Sequence, residues 1–268
     1  MTHWRLALHT WTLDTTPLAE ALRIARETGW DAIELRRIDF ARAAAAGQSA
    51  DQVLALVRAS GLPVACVGVE LGWMQAEGDE RRRLLAAFAE SCRWAAALGC
   101  ATVMSPADRG PGDPARAVAS LREVGDLAAA HAVRLALEFN SQVEYWNTPR
   151  RVREAVARAG HRHVGLLLDS YHLERSGTWA ELEDIGADEI AYVQLSDVPC
   201  TGLAPGKFTD RLPPGQGSVD FARFFGYLAK RGYAGYLSYE APNPAAWARE
   251  PSEVAREALT ATRARLPR

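Results

Sequence analysis

The chain has 268 residues, 48% of them hydrophobic and 24% charged, with a formal net charge of −2. That composition is ordinary for a globular protein able to bury a large core. The near-neutral charge gives nucleic acid or an anionic membrane no general electrostatic hold, so neither is an expected partner.

The length suits one large barrel or two small domains. No apolar run approaches the roughly 20 residues needed to span a bilayer. The start, Met1 to His9, lacks the basic start, long apolar stretch and cleavage site of a secretory signal. Cys66, Cys92, Cys100 and Cys200 are scattered and form no CxxC pair. They read as reduced, mostly buried thiols, and a cytoplasmic location is expected.

Short apolar runs alternate with helical patterns almost from end to end. Strands are predicted over Arg5–His9, Asp31–Leu35, Pro63–Val69, Ala101–Ser105, Val133–Glu138, His163–Asp169, Ile190–Leu195 and Gly235–Glu240. Continuous apolar character without alternation suits strands covered on both faces. Between them, Leu18, Ala21, Leu22 and Ala25 share one helical face that closes at Thr28-Gly29. The Ala-rich patch at Ala41 to Ala46 reads as loop and helix start. Leu84, Leu85, Phe88, Cys92 and Ala95 repeat the helical spacing, and Leu98-Gly99 closes it. Thr148-Pro149 gives an N-cap and a first-turn proline. Ser218 is placed to cap a helix carrying Phe221, Phe224, Phe225 and Leu228. Eight strand-then-helix units predict a single (β/α)8 barrel spanning residues 1–268 as one domain. A doubly wound open sheet is the alternative, but no GxGxxG turn follows the first strand.

In such a barrel the chemistry sits at the C-terminal ends of the strands. Strand one ends in His9, strand two carries Glu34 and Arg36, and strand three is followed by Glu70. Strands five to eight carry Glu138, Asp169, Gln194 and Glu240 at or near their ends. An ionised carboxylate straight after an apolar strand is costly unless it is paired or binds a cation. Three carboxylates and an amide oxygen on consecutive strands make an oxygen-rich site that suits Mn²⁺, Mg²⁺ or Co²⁺, and Zn²⁺ less specifically. For each acid alone, a salt bridge to a barrel arginine or a helix cap is an equal alternative. His172, three residues past Asp169, suits a ligand-orienting, substrate-contacting or structural role. Glu70 and His9 are candidate pocket walls. Trp11, Trp73 and Trp146 follow strand ends and could face a sugar ring or simply pack loops. Arg36 and Arg37 are expected to be solvated or paired. The segment Asp210-Arg211-Leu-Pro-Pro-Gly215-Gln216-Gly217 lies in a long loop after Asp197 that could cover the site, with Arg211 placed to meet a substrate oxygen or an acid.

These stretches carry a family resemblance. Ala-Ile-Glu34-Leu-Arg36, Leu-Ala-Leu-Glu138-Phe, Val-Gly-Leu-Leu-Leu-Asp169-Ser-Tyr-His172, Asp210 to Gly217 and the closing Tyr-Glu240 resemble the xylose-isomerase-like sugar isomerase/epimerase superfamily, nearest its inosose (2-keto-myo-inositol) isomerase branch. The resemblance implies one divalent metal, Mn²⁺ first, held by Glu138, Asp169 and Glu240. The fourth ligand in that branch is a histidine, and Gln194 stands there, as in hydroxypyruvate isomerases. It further implies that Glu138 and Glu240 act both as ligands and as acid/base groups, and that His172 and Arg211 position substrate, with Glu70 and Trp11 as further candidate contacts. The implied function is isomerisation or epimerisation of a keto-polyol such as inosose through an enediolate, in inositol metabolism. The implied partner is a small keto-sugar or keto-polyol, and a homo-oligomer stays open. Alternatives are a dehydratase of a keto-inositol or 3-dehydroshikimate, a non-catalytic sugar-binding barrel or subunit, and, less well matched, a DNA-repair phosphodiesterase.

Overall fold

A computed structural model describes residues 4–267. Met1 to His3 and Arg268, which belong to the expected domain span, lie outside the described residues. Eight strands run β1 (Arg5–His9), β2 (Ala32–Leu35), β3 (Val64–Gly68), β4 (Thr102–Pro106), β5 (Arg134–Glu138), β6 (Val164–Asp169), β7 (Ile190–Leu195) and β8 (Tyr236–Tyr239). All are parallel, and they close in chain order, with β8 paired to β1 through Leu6–Leu237 and Ala7–Ser238. Closure excludes the open doubly wound sheet. Every strand boundary falls within one residue of the predicted one. These short apolar runs are buried on both faces, which gives them a stronger signal than half-exposed strands carry.

The helices are α1 (Leu18–Thr28), α2 (Arg37–Ala45), α3 (Ala50–Ala59), α4 (Gly78–Ala97), α5 (Pro114–Ala130), α6 (Pro149–Ala159), α7 (Ser170–Ser176), α8 (Phe221–Arg231), α9 (Pro244–Trp247) and α10 (Pro251–Arg265). Helix α1 buries Ala21, Leu22, Ile24 and Ala25 and ends on Gly29 at φ 90°, a left-handed conformation that glycine adopts without a Cβ penalty. The Thr148 hydroxyl caps α6 as predicted, accepting from the Arg151 amide. Two local expectations need correction. The Ala-rich patch lies within and just after α2, where alanine's high helix propensity extends the helix. The cap of α8 is Asp220, whose carboxylate accepts from the Arg223 amide at 2.9 Å. Ser218 instead points its hydroxyl at the Val198 carbonyl.

The core has two layers. Outside the barrel, side chains such as Leu8, Ile33, Val103, Leu135, Leu168 and Val193 meet the helices. Inside it, Ala7, Ala32, Cys66, Met104, Ala136, Leu167 and Tyr192 fill the bore with a mix of small and large groups. Because side chains alternate along a strand, each interior position is followed two residues later by another interior position. That step leads from Ala7 to His9, Ala32 to Glu34, Ala136 to Glu138, Leu167 to Asp169 and Tyr192 to Gln194. A polar layer therefore caps the apolar bore at the C-terminal mouth.

Candidate functional site

The mouth opens into a cavity of about 240 Å³, lined by His9, Trp11, Arg36, Leu71, Met104, Pro106, Ala107, Arg109, Glu138, Asn140, His172, Phe208, Arg211 and Glu240. Glu138, Asp169, Gln194, Arg211 and Glu240 are all buried. Atoms of Glu138, Asp169 and His172 lie within 4.8 Å of one another. One guanidinium nitrogen of Arg211, Nη1, donates to Asp169 Oδ2 at 2.7 Å and to Glu240 Oε2 at 2.9 Å. Its Nη2 lies 3.3 Å from His172 Nε2. Two oxygens stand out: Glu138 Oε1 and Gln194 Oε1 are buried without a hydrogen-bond partner among the described residues. A buried acceptor costs about 1–3 kcal/mol when nothing meets it, so both oxygens have hydrogen-bonding or ligating capacity to spare.

Electrostatics follow from burial and crowding. Burial, reinforced by Asp169 and Glu240, pushes the Glu138 carboxyl well above the usual carboxylate range. Glu240 is pushed up to about 7 by burial, with Arg211 pulling against it. Burial, with help from Arg211, lowers His172 to about 3. Burial also lowers His9, helped by Arg36 and Arg211. Both imidazoles are neutral at pH 7. Burial opposes the charge on Arg211, but Asp169, Glu240 and Glu138 together more than offset it and raise its pKa.

Arg211 is delivered by the connection between β7 and α8, residues 196–220. Buried Asp197 organises that loop: its carboxylate accepts from the amides of Val198 (2.9 Å), Gly215 (2.7 Å), Gly217 (2.9 Å) and Val219 (2.9 Å). A Cβ on Gly217 would lie 2.0 Å from the Val198 carbonyl oxygen, so only glycine fits. Asp197 and Leu212 exchange backbone hydrogen bonds at 2.8 and 3.0 Å. The Arg211 guanidinium lies over the Tyr171 ring, 4.4 Å from its centroid, and the Tyr171 hydroxyl donates to Asp210 at 2.6 Å.

The barrel brings together Glu138, Asp169, His172, Arg211 and Glu240. Gln194 sits beside Asp169 in register across the β6–β7 pair. Trp11 lines the cavity. Glu70 does not: it pairs with Arg83 at 2.6 Å and Arg37 at 3.5 Å, because the β3–α4 turn carries it toward the helix layer. Trp73 and Trp146 are fully buried packing residues, with the Trp73 indole donating to Ser105. Arg36 pairs with Asp14 at 2.7 Å and Arg37 with Glu90 at 2.7 Å, as expected. Among residues without a predicted role, Glu34 is the most consequential. It is fully buried and accepts from Gln194 Nε2 at 2.9 Å and from the Tyr192 hydroxyl at 3.1 Å. Burial, with the charge of Glu240, raises it to about 8. Its place two residues after Ala32 on an interior face was the available signal. Arg109, Asn140 and Phe208 come from loops, where strand periodicity says nothing.

The donor set fits a hard divalent cation. It is oxygen-rich, has one imidazole within reach, and holds two orphaned oxygens. Glu138, Asp169 and His172 lie close enough together to hold such an ion, with Gln194 and Glu240 beside them. Asp169 and Glu240 already share a cationic partner in Arg211, so cation binding and those two ion pairs compete for the same oxygens.

Fold and site together define a (β/α)8 barrel with a carboxylate-rich pocket at its C-terminal mouth. The chain belongs to the xylose isomerase-like TIM barrel family, whose model matches residues 22–264. The 3-dehydroshikimate dehydratase of Pseudomonas putida is 33% identical over 146 residues, which cover 53% of this chain and 22% of that protein. The inosose isomerase of Halalkalibacterium halodurans is 28% identical over 126 residues, 46% of this chain and 45% of the isomerase. The alignments thus span about a fifth of the dehydratase and under half of the isomerase. The solved structure of the IolI protein with a bound zinc atom superposes with a TM-score of 0.88 at 21% identity, covering 98% of both chains, and this likeness is one of fold. The curated relatives are enzymes. No helix of the described residues is long and apolar enough to cross a membrane.

Proposed function

We propose that this protein is a divalent-metal-dependent isomerase or epimerase that enolises a small keto-polyol of the inosose type. The observation that carries the reading is the clustering of buried Glu138, Asp169 and His172 within 4.8 Å of one another, beside the orphaned oxygens of Glu138 and Gln194, with Glu138 and Glu240 lining one small cavity. Glu138, Asp169, Gln194 and Glu240 would hold the metal, Mn²⁺ first. When bound, the cation supplies Lewis-acid stabilisation of negative charge developing on substrate oxygen.

The chain's own residues account for the proton transfers. Glu138 comes from β5 and Glu240 follows β8, so they approach the cavity from well-separated strands. One carboxylate takes the proton from the carbon between carbonyl and hydroxyl, giving an enediolate. The other carboxyl returns a proton to the neighbouring carbon, or to the opposite face of the same one. Arg211 and His172 contact substrate oxygens, Arg211 as donor. Trp11 and Phe208, with ring centroids 6.0 Å apart, form an apolar wall at the mouth.

A second reading is a dehydratase, favoured by the 33% identity to 3-dehydroshikimate dehydratase. It shares the proton abstraction and then expels a β-hydroxyl. Incubation with inosose and Mn²⁺, read by mass spectrometry, separates the two. A product of unchanged mass is expected; loss of one water moves the assignment to the dehydratase.

A further inference from the structure

Gln194 is an unusual donor because its amide has two ends. Only the oxygen can bind a cation, and a half-turn of the amide would put NH₂ in its place. The side chain is fully buried, so solvent does not choose between these orientations. Something in the protein must.

We propose that Glu34 is a positioning residue that fixes the Gln194 amide with its nitrogen outward and its oxygen free for a cation. The inference rests on the metal reading above. Gln194 Nε2 donates to Glu34 Oε1 at 2.9 Å, while Gln194 Oε1 is left buried and unpaired. The flipped amide would lose this hydrogen bond at the Glu34 end and strand a nitrogen at the other. Glu34 is itself held. Its other oxygen accepts from the Tyr192 hydroxyl at 3.1 Å. His9 lies alongside. Its Nδ1 accepts from the Trp11 amide at 3.0 Å, so the neutral ring carries its proton on Nε2. That Nε2 lies 3.5 Å from Glu34 Oε1 and 3.3 Å from Glu240 Oε1. Glu34 on β2, a strand that carries none of the proposed ligands, thereby holds the ligand contributed by β7. Such outer partners orient ligands and tune affinity even though they never touch the ion.

The test uses Mn²⁺ alone, titrated into the metal-free protein by calorimetry, with Glu34→Leu, Glu34→Gln, Gln194→Leu and the E34L/Q194L double variant. Glu34→Leu is expected to weaken Mn²⁺ binding about 10–100-fold. Glu34→Gln keeps an oxygen acceptor for Gln194 and is expected to bind within a few-fold of wild type. The double variant is expected to bind no more weakly than Gln194→Leu, because Glu34 acts through Gln194. Unchanged affinity in Glu34→Leu, or losses that multiply in the double variant, would overturn the proposal. Side-chain amide exchange by NMR is a readout that needs no metal. The Gln194 NH₂ signal, identified by its absence in Gln194→Leu, is expected to exchange slowly in wild type and fast in Glu34→Leu. Fast exchange in wild type overturns the proposal even if Glu34→Leu fails to fold. Equal Mn²⁺ binding by wild type and Glu138→Gln, with slow Gln194 exchange intact, would sink the metal reading instead.

Discussion

Glu240 and Glu34 are both buried acids with raised pKa values, but the site gives them different work. Glu240 lines the cavity, so Glu240→Gln should lower turnover by about 10²–10⁴-fold, the usual range for a lost acid/base group. Steady-state kinetics on a substrate that wild type converts would check this. Glu34 lies beneath the cavity and should show itself in stability. Its folded pKa is about 8 against an ordinary 4.5. Between those values the folded chain keeps a proton that the unfolded chain has released. Stability of the metal-free protein should therefore fall as pH rises from about 4.5 to about 8, by at most about 1.4 kcal/mol per pH unit for this one group. Urea unfolding at pH 5.5 and 8.5 should show a smaller drop in Glu34→Gln than in wild type; equal drops would remove Glu34 from the account. At this scale the sequence was partly legible. An acid at the end of an apolar run marks Glu138, Asp169 and Glu240, because such a group is expensive without a partner. It does not say what the partner is, and for Asp169 and Glu240 the structure supplies Arg211 from a loop more than forty residues beyond Asp169 in sequence and nearly thirty before Glu240. Nor could it show that Glu70 turns away, since two residues past the end of β3 the alternation no longer fixes direction.

Among the elements, the loop between β7 and α8 matters most for the site. Its shape depends on four backbone amides meeting one carboxylate at Asp197 and on a glycine at 217. Asp197→Ala leaves the buried Val198 and Val219 amides without their acceptor and should destabilise the protein by about 2–6 kcal/mol, at about 1–3 kcal/mol for each buried group left unpaired. Asp197→Asn, which keeps one acceptor oxygen, should lose less. Denaturant unfolding measures both, and an Asp197→Ala variant as stable as wild type would mean that the loop is held elsewhere. The strands were legible almost to the residue because both faces are buried and each run is short and mostly apolar. The cap of α8 was not, since Ser218 and Asp220 both suit an N-cap and only tertiary hydrogen bonding to Val198 decides between them.

For the molecule as a whole, closure of eight strands gathers groups from β1, β2, β5, β6, β7 and β8 at one mouth. A cation bound there ties opposite sides of the barrel together and should stabilise it by linkage, by about 2.7 kcal/mol at a hundredfold excess over Kd. Chelation should thus lower Tm by several degrees, and Mn²⁺ should restore it in wild type but not in Asp169→Asn. Barrel and family were legible in the sequence because the strand–helix alternation spans the chain. Substrate was not, because the loops that line the cavity follow no period. Metal-assisted enolisation shows itself as proton exchange at carbon, measured on wild-type protein with inosose in D₂O by NMR with and without Mn²⁺. Deuterium should enter next to the carbonyl only when Mn²⁺ is present, and should not enter in the E138Q/E240Q double variant. Exchange that is indifferent to Mn²⁺, or that survives loss of both carboxylates, would contradict it.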